Sequence, residues 1–276
     1  MTASESIGHQ LRHWRRLRGL SQLDLAIQAD VSARHISFVE TGRTVPSAAM
    51  VLRLMAQLAV PLRERNRLLT AAGHAPVYRE SGATDPDDQR VRAALRRILR
   101  AHEPYPAAAL DRRWDVLLAN TAFDLLTADV AEHLRTPPIN MMRLGLHPLG
   151  LAARVGNLSE VRAHLLPRLA VQAGNTGDPF LAALHEELVG YGPPVEVAPP
   201  DPADIALTIR VGHRGVELRF ITTITTFGTA FDIALAEVAV ETFLPADDET
   251  ARYCHGLAAD RSDPADRSDL PVSGAM

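Results

Sequence analysis

Residues Leu20–Gly42, LSQLDLAIQADVSARHISFVETG, decide how this chain is read. Ser21 is placed to cap a helix, its hydroxyl accepting a backbone N–H one turn in. Leu25 and Ala26 follow at core-facing spacing, and the small Ala26 allows another helix to approach closely. The helix must stop near Asp30, where the chain needs a left-handed backbone; Asp tolerates that better than most non-glycine residues. Ser32 then caps a second helix, Ile36 and Val39 bury its inner side, and Gly42 ends it.

Reading outward, Ile7, Leu11, Trp14 and Leu17 fall near helical spacing and end at Gly19. Downstream, Pro46-Ser47 starts a fourth helix with the stripe Val51, Leu52, Met55 and Leu58. Pro61 starts a fifth with Leu62, Arg65, Leu68 and Leu69, ending near Gly73. Helices two and three have the form that places one helix in the major groove of DNA. The set Ser21-Gln22, Ala26, Val31-Ser32, Ile36, Val39-Glu40, Gly42 and Pro46 resembles the helix-turn-helix of the phage-repressor type, the XRE (Cro and lambda repressor) family. Asp30 departs from that pattern, which more usually has glycine in the turn.

The resemblance implies roles. Ala33, Arg34, His35 and Ser37, with Ser32 at the cap, lie where base edges are met. Arg34 leads, since a guanidinium can donate two hydrogen bonds to guanine. Gln22 is expected on a phosphate and an adjacent base, and Thr41, Arg43, Thr44 and Ser47 on phosphates, contacts that set register more than sequence. The alternative for each is an ordinary solvated polar residue.

Charge divides the same way. Residues 1–80 hold eleven Arg against six Asp and Glu, a net +5. Residues 81–276 hold eighteen Arg against twenty-seven acids, a net −9, which together give the −4 of the whole. A basic head on an acidic body suits a DNA reader joined to something else. Every basic residue apart from histidine is Arg. The N-terminal MTASESIGHQ has no apolar core of a signal peptide, no run is long enough to span a bilayer, and Cys254 is the sole cysteine. These features lead to an expectation of a cytoplasmic chain without membrane attachment. Eleven His show no metal spacing, and neither a phosphate loop nor a nucleophile elbow is present, so neither a metal nor another cofactor is expected.

Four segments follow: a DNA-binding domain at 1–75, a linker and connecting helix at 76–103, a ligand-binding domain at 104–250, and a mostly disordered tail at 251–276. In the connecting helix, Val91, Leu95, Ile98 and Leu99 form the apolar side. Ala107–Leu110 and Trp114–Leu118 read as strands around a turn at Asp111-Arg112-Arg113, and Asn120 to Leu126 starts a helix. Residues 158–173 read as a helix with a kink or break at Pro167, and Asp178-Pro179 starts the next. Ile205–Val211 and Val216–Ile224 alternate as a hairpin around Gly212–Gly215. Residues 231–244 are ambiguous and favour a third strand.

The blocks ALDRRWDVLLANTAF, NMMRLGLHP, a TGDP-started helix and FITTITTFGT resemble the MmyB-like ligand-binding domain, over about residues 104–250. That resemblance implies an α+β, PAS-like fold with a small antiparallel sheet after the mainly α five-helix head, and a pocket for a fatty-acyl or similar apolar molecule. Trp114, Asn140, Met141, Met142, Arg143, His147, Phe220 and Ile224 are the candidate lining. Arg143 and His147 sit in an apolar stretch, where a ligand carboxylate would relieve their isolation. The expected function is a sequence-specific transcriptional regulator, dimeric on a double-stranded operator and repressing until a small apolar ligand binds. One alternative gives the C-terminal domain only dimerisation or protein partners. Another is an enzyme, for which Asp115, His147, His164 and Cys254 are loose candidates that no spacing links.

Overall fold

The computed structural model describes residues 6–78, 86–194, 206–227 and 233–262. The chain forms two units. One is Met1–Gln89 with Gly174–Thr176 and Phe227–Glu237; the other is Arg90–Ala173, Gly177–Thr226 and Val238–Met276.

Five short helices open the first unit: α1 (Ile7–Leu17), α2 (Gln22–Gln28), α3 (Ala33–Glu40), α4 (Ala48–Gln57) and α5 (Leu62–Ala71). Serines cap the first four, at Ser6, Ser21, Ser32 and Ser47. At α2 the cap is reciprocal: Ser21 Oγ accepts from Asp24 N, and Asp24 accepts from Ser21 N. The C-termini share one device. Gly19, Asp30, Gly42, Ala59 and Gly73 all take a left-handed backbone. After α3, Gly42 N donates to Val39 O and Arg43 N to Phe38 O, satisfying carbonyls the helix leaves open. Asp30 does the same work after α2, with φ 50°. Leu11, Leu25, Ile36, Val39, Met55, Leu58, Leu68 and Leu69 form the sealed centre. On α4, Leu54 is buried while Leu52, expected inside, is half-buried. Gly8 lies against the end of α3, where a Cβ would stand 2.6 Å from Val39 O.

The second unit holds most of α6 (Pro86–Ala101), whose Leu95 and Leu99 are buried; Ile98, expected beside them, is exposed. Strand β1 (Ala107–Leu110) and β2 (Val116–Ala119) follow, then a 3-10 turn at Thr121–Phe123 and short helices α7 (Asp124–Thr127), α8 (Glu132–Arg135) and α9 (Met141–Leu146). Trp114 belongs to the turn and not to a strand: its φ is 70°, which no extended backbone adopts. A second 3-10 turn, Leu151–Arg154, leads into α10 (Leu158–Thr176), which Pro167 does not break. Its missing hydrogen bond is outweighed because Val161, Leu166 and Leu169 are buried on both sides of it. Helix α11 (Pro179–Val189) is capped by Asp178.

Strands β3 (Thr208–His213) and β4 (Val216–Thr226) turn tightly at Arg214-Gly215, both left-handed, so the strands extend further than the expected four-residue turn allows. Segment 231–244 divides into α12 (Ile233–Ala236) and β5 (Ala239–Pro245). The sheet is antiparallel, in the order β2-β1-β5-β4-β3. Residues 251–262, expected in the tail, belong instead to α13 (Asp248–Ser262), which buries Cys254. The sequence readings at residues 79–85, at Ile205, at 228–232 and beyond 262 lie outside the described residues. The architecture is thus a mainly α head followed by an α+β body.

Candidate functional site

Helix α3 presents its first turn outward because Ile36 and Val39 are fully buried on the opposite side. Arg34 is exposed, and its guanidinium lies 5.0 Å from the centroid of Phe38. Arg43 lies 5.6 Å from the same ring, brought there by the hydrogen bond from its N–H to Phe38 O. Phe38 thus carries two cations whose side chains are partly ordered in advance. Sequence reading missed Phe38; an aromatic four residues after Arg34 on a short helix was the signal.

The other expected DNA contacts are placed less uniformly. Ala33 packs partly against the core and His35 is half-buried. The His35 Nε2 is shut from solvent without a partner among the described residues, so this conformation does not offer it to a base. Ser32 and Ser47 each accept one helix-cap hydrogen bond, from His35 N and Met50 N, and each keeps an O–H to donate. Thr41 donates to Ser37 O. Ser37 and Thr44 are half-buried, and Arg43 is exposed. Gln22 is turned inward: its Nε2 donates to Glu40 at 2.8 Å.

Glu40 fixes this surface from behind. Its side chain is fully buried, receives Arg15 Nε at 2.6 Å and Arg15 Nη2 at 2.9 Å, and also meets Arg12 Nε at 3.4 Å. Burial pushes the Glu40 carboxyl upward, but donation from Arg15 and Gln22 outweighs it and holds the group below its ordinary range. Arg15 is correspondingly raised, first by its hydrogen bonds to Glu40.

In the second unit the expected ligand lining is mostly one packed core. Trp114, Met141, Met142 and Phe220 are buried in it, with Ile224 half-buried at its margin. Trp114 Nε1 donates to Gln172 at 2.8 Å, and Arg168 lies over its ring at 5.6 Å. Asn140 is used completely: it caps α9 through Arg143 N and donates to Arg113 O and Asp115. Arg143 is not an isolated cation waiting for a carboxylate, since Glu187 takes two of its nitrogens at 2.8 and 2.7 Å and also accepts from Tyr191. His147 accepts from Leu149 N at Nδ1 and stacks edgewise on His133 and Tyr191.

The sheet carries one group that the sequence reading passed over. Glu241 on β5 stands opposite Ile224 in register and is buried, with Oε2 unpartnered among the described residues. Burial raises its carboxyl to about 7, opposed only by the charge of Arg168. Among the described residues no three His, Cys, Asp or Glu side chains are grouped to hold a metal, and no helix is long and apolar enough to cross a membrane.

A five-helix head with a capped third helix, followed by an α+β body, has the architecture of a helix-turn-helix transcription regulator with a second domain appended. Residues 91–257 match the MmyB-like transcription regulator ligand binding domain and residues 6–68 match a helix-turn-helix domain. The chain belongs to the MmyB-like transcription regulators, a family of regulators and not of enzymes. Over 74 residues it is 39% identical to the uncharacterized HTH-type transcriptional regulator RghRB of Bacillus subtilis (strain 168), covering 26% of this chain. It spans about half of that relative, 51%. The structure of an RNA-binding light-oxygen-voltage receptor aligns with 92% of this chain and 64% of its own at 12% identity. Its TM-score is 0.27.

Proposed function

We propose that this protein is a dimeric, sequence-specific repressor whose affinity for its operator falls when a small apolar, fatty-acyl-like ligand occupies the C-terminal domain. The observation that carries the DNA half is Arg34, exposed at the start of α3 and laid against Phe38, in the position from which a guanidinium reaches guanine. Arg43 beyond the helix supplies a phosphate contact, as do the hydroxyls of Ser32, Thr44 and Ser47, whereas the O–H of Thr41 is already given to Ser37 O. Gln22 acts indirectly, through Glu40, in setting the angle between α2 and α3.

Two half-sites must be met at once, so a small change in reader spacing costs most of the specific affinity. That makes regulation by a ligand bound elsewhere in the chain physically inexpensive. The test is the affinity of the full-length protein for a selected duplex, measured after lipid extraction and again with decanoate added. Weaker binding with decanoate supports the reading; unchanged binding contradicts its regulatory half.

One observation favours a second reading, in which the C-terminal domain only joins subunits. Trp114, Met141, Met142 and Phe220 all belong to one buried core, and Asn140 and Arg143 are already satisfied. Protein that releases no lipophilic molecule on denaturing extraction, and that ignores acyl probes, fits this reading.

A further inference from the structure

Helix α13 brings Cys254, Leu257, Ala258 and Arg261 onto one face, at the spacing i, i+3, i+4 and i+7. That face does not close on its neighbours. Between it, the end of α6 and the 3-10 turn before α7 lies a cleft of about 430 Å³, within the roughly 300–1,000 Å³ usual for small-molecule sites. Its inner wall is apolar: Pro104, Ala122, Leu125, Leu257 and the side of Ala258. Cys254 is buried at the base, and burial pushes its thiol up to about 11, so at neutral pH it is an uncharged, greasy surface. The rim is cationic. Arg261 is held at 2.7 Å on Thr121 O, and Thr121 N donates to Glu103. The guanidinium of Arg100, an exposed residue, has no hydrogen bond or ion pair among the described residues. Two guanidiniums thus face one carboxylate that is already engaged.

We propose that this cleft is the ligand site of the C-terminal domain: it takes an amphiphile with a linear apolar body along Leu125, Leu257 and Ala258 and an anionic head, carboxylate or phosphate, on Arg100 and Arg261. This rests on the ligand-sensing reading above and relocates its site from the sheet core to the face of α13. Guanidinium pairs with planar and tetrahedral oxyanions alike, so head-group preference is left to measurement.

The experiment uses lipid-extracted full-length protein with three probes of equal chain length: decanoate, decyl phosphate and decanol. Calorimetric affinity is read together with the rate at which a small neutral reagent modifies Cys254, the chain's one cysteine. At least one anionic probe binds and decanol binds worse; the tighter of the two acids identifies the head group. The bound probe slows modification of Cys254. Arg100→Glu at the exposed rim weakens the anionic probe by about tenfold or more, the scale of one lost charge-assisted hydrogen bond. Ala258→Trp, which fills the cleft, removes binding. Anionic probes that bind the two variants as they bind wild type, without protecting Cys254, overturn the cleft while leaving ligand sensing in place. Failure of all three probes to bind wild type overturns the cleft and the acyl-ligand reading together.

Discussion

Glu40, the last residue of the recognition helix, is clasped by Arg15 of α1 through two nitrogens at 2.6 and 2.9 Å. The pair is buried, and Gln22 of α2 closes on the same carboxylate. One side chain therefore ties α1, α2 and α3 together, and with them the position of Arg34 at the start of α3.

Removing one partner of a buried pair strands the other charge. Glu40→Ala is expected to lower stability by roughly 3–5 kcal/mol, read as a shift of the urea unfolding midpoint. Because the Glu40 carboxyl is held below its ordinary range in the folded state, its contribution is present above the unfolded carboxylate value. It is lost as pH falls through the folded one. The destabilisation by Glu40→Ala should shrink at acid pH.

Phe38→Leu keeps an apolar side chain but removes the face on which Arg34 and Arg43 rest. The fold should survive, and operator affinity should fall through both cations. Arg43→Ala is expected to weaken binding about equally on specific and random duplex and to lower the salt slope by about 1, measured by titration at several ionic strengths.

Glu241 gives the opposite pH sign to Glu40. Its folded value is raised to about 7 by burial, so the neutral acid is the form the fold prefers. Its full contribution is present below the unfolded value of about 4.3 and is lost as pH rises through the folded value near 7. Glu241→Gln, which cannot ionise, should flatten the stability profile across that window and raise the unfolding midpoint at pH 8.

Backbone conformation supplies a further pair of tests. Ala59 takes φ 46° where three of the other four left-handed ends have glycine. Ala59→Gly should stabilise the protein by ~1 kcal/mol, the strain of a Cβ in that region. Gly8→Ala should do the reverse, since the new Cβ would fall 2.6 Å from Val39 O and 2.7 Å from Glu40 O. Both are read by thermal unfolding.

The reader was legible because its signals are local. Caps, left-handed ends and one apolar stripe per helix are each written within a turn, and Asp30 could be assigned its backbone from residue chemistry alone. The body was less so, because partners there are distant in sequence. Nothing near Arg143 announced Glu187, forty-four residues on, so it read as an isolated charge. The reading of 231–244 blurred because β5 lies between β1 and β4, and Val240, Glu241, Thr242 and Phe243 are all buried. A strand covered on both faces loses its period of two. Helix α13 hid behind the polar repeat that overlaps its end: Tyr253, Cys254 and Leu257 were too few to outweigh DRSDPADRSD.

The most direct test of the account is selection from a random duplex library, at near-physiological salt, by full-length wild-type protein and by Arg34→Ala in parallel. Salt matters because a basic head binds any phosphate backbone when it is low. Wild-type protein is expected to enrich a two-fold-symmetric motif. With Arg34→Ala, preference is relaxed at one symmetric position, at a cost of roughly 1–3 kcal/mol per contact. An unstructured pool from wild-type protein, or an identical motif from the variant, would contradict it.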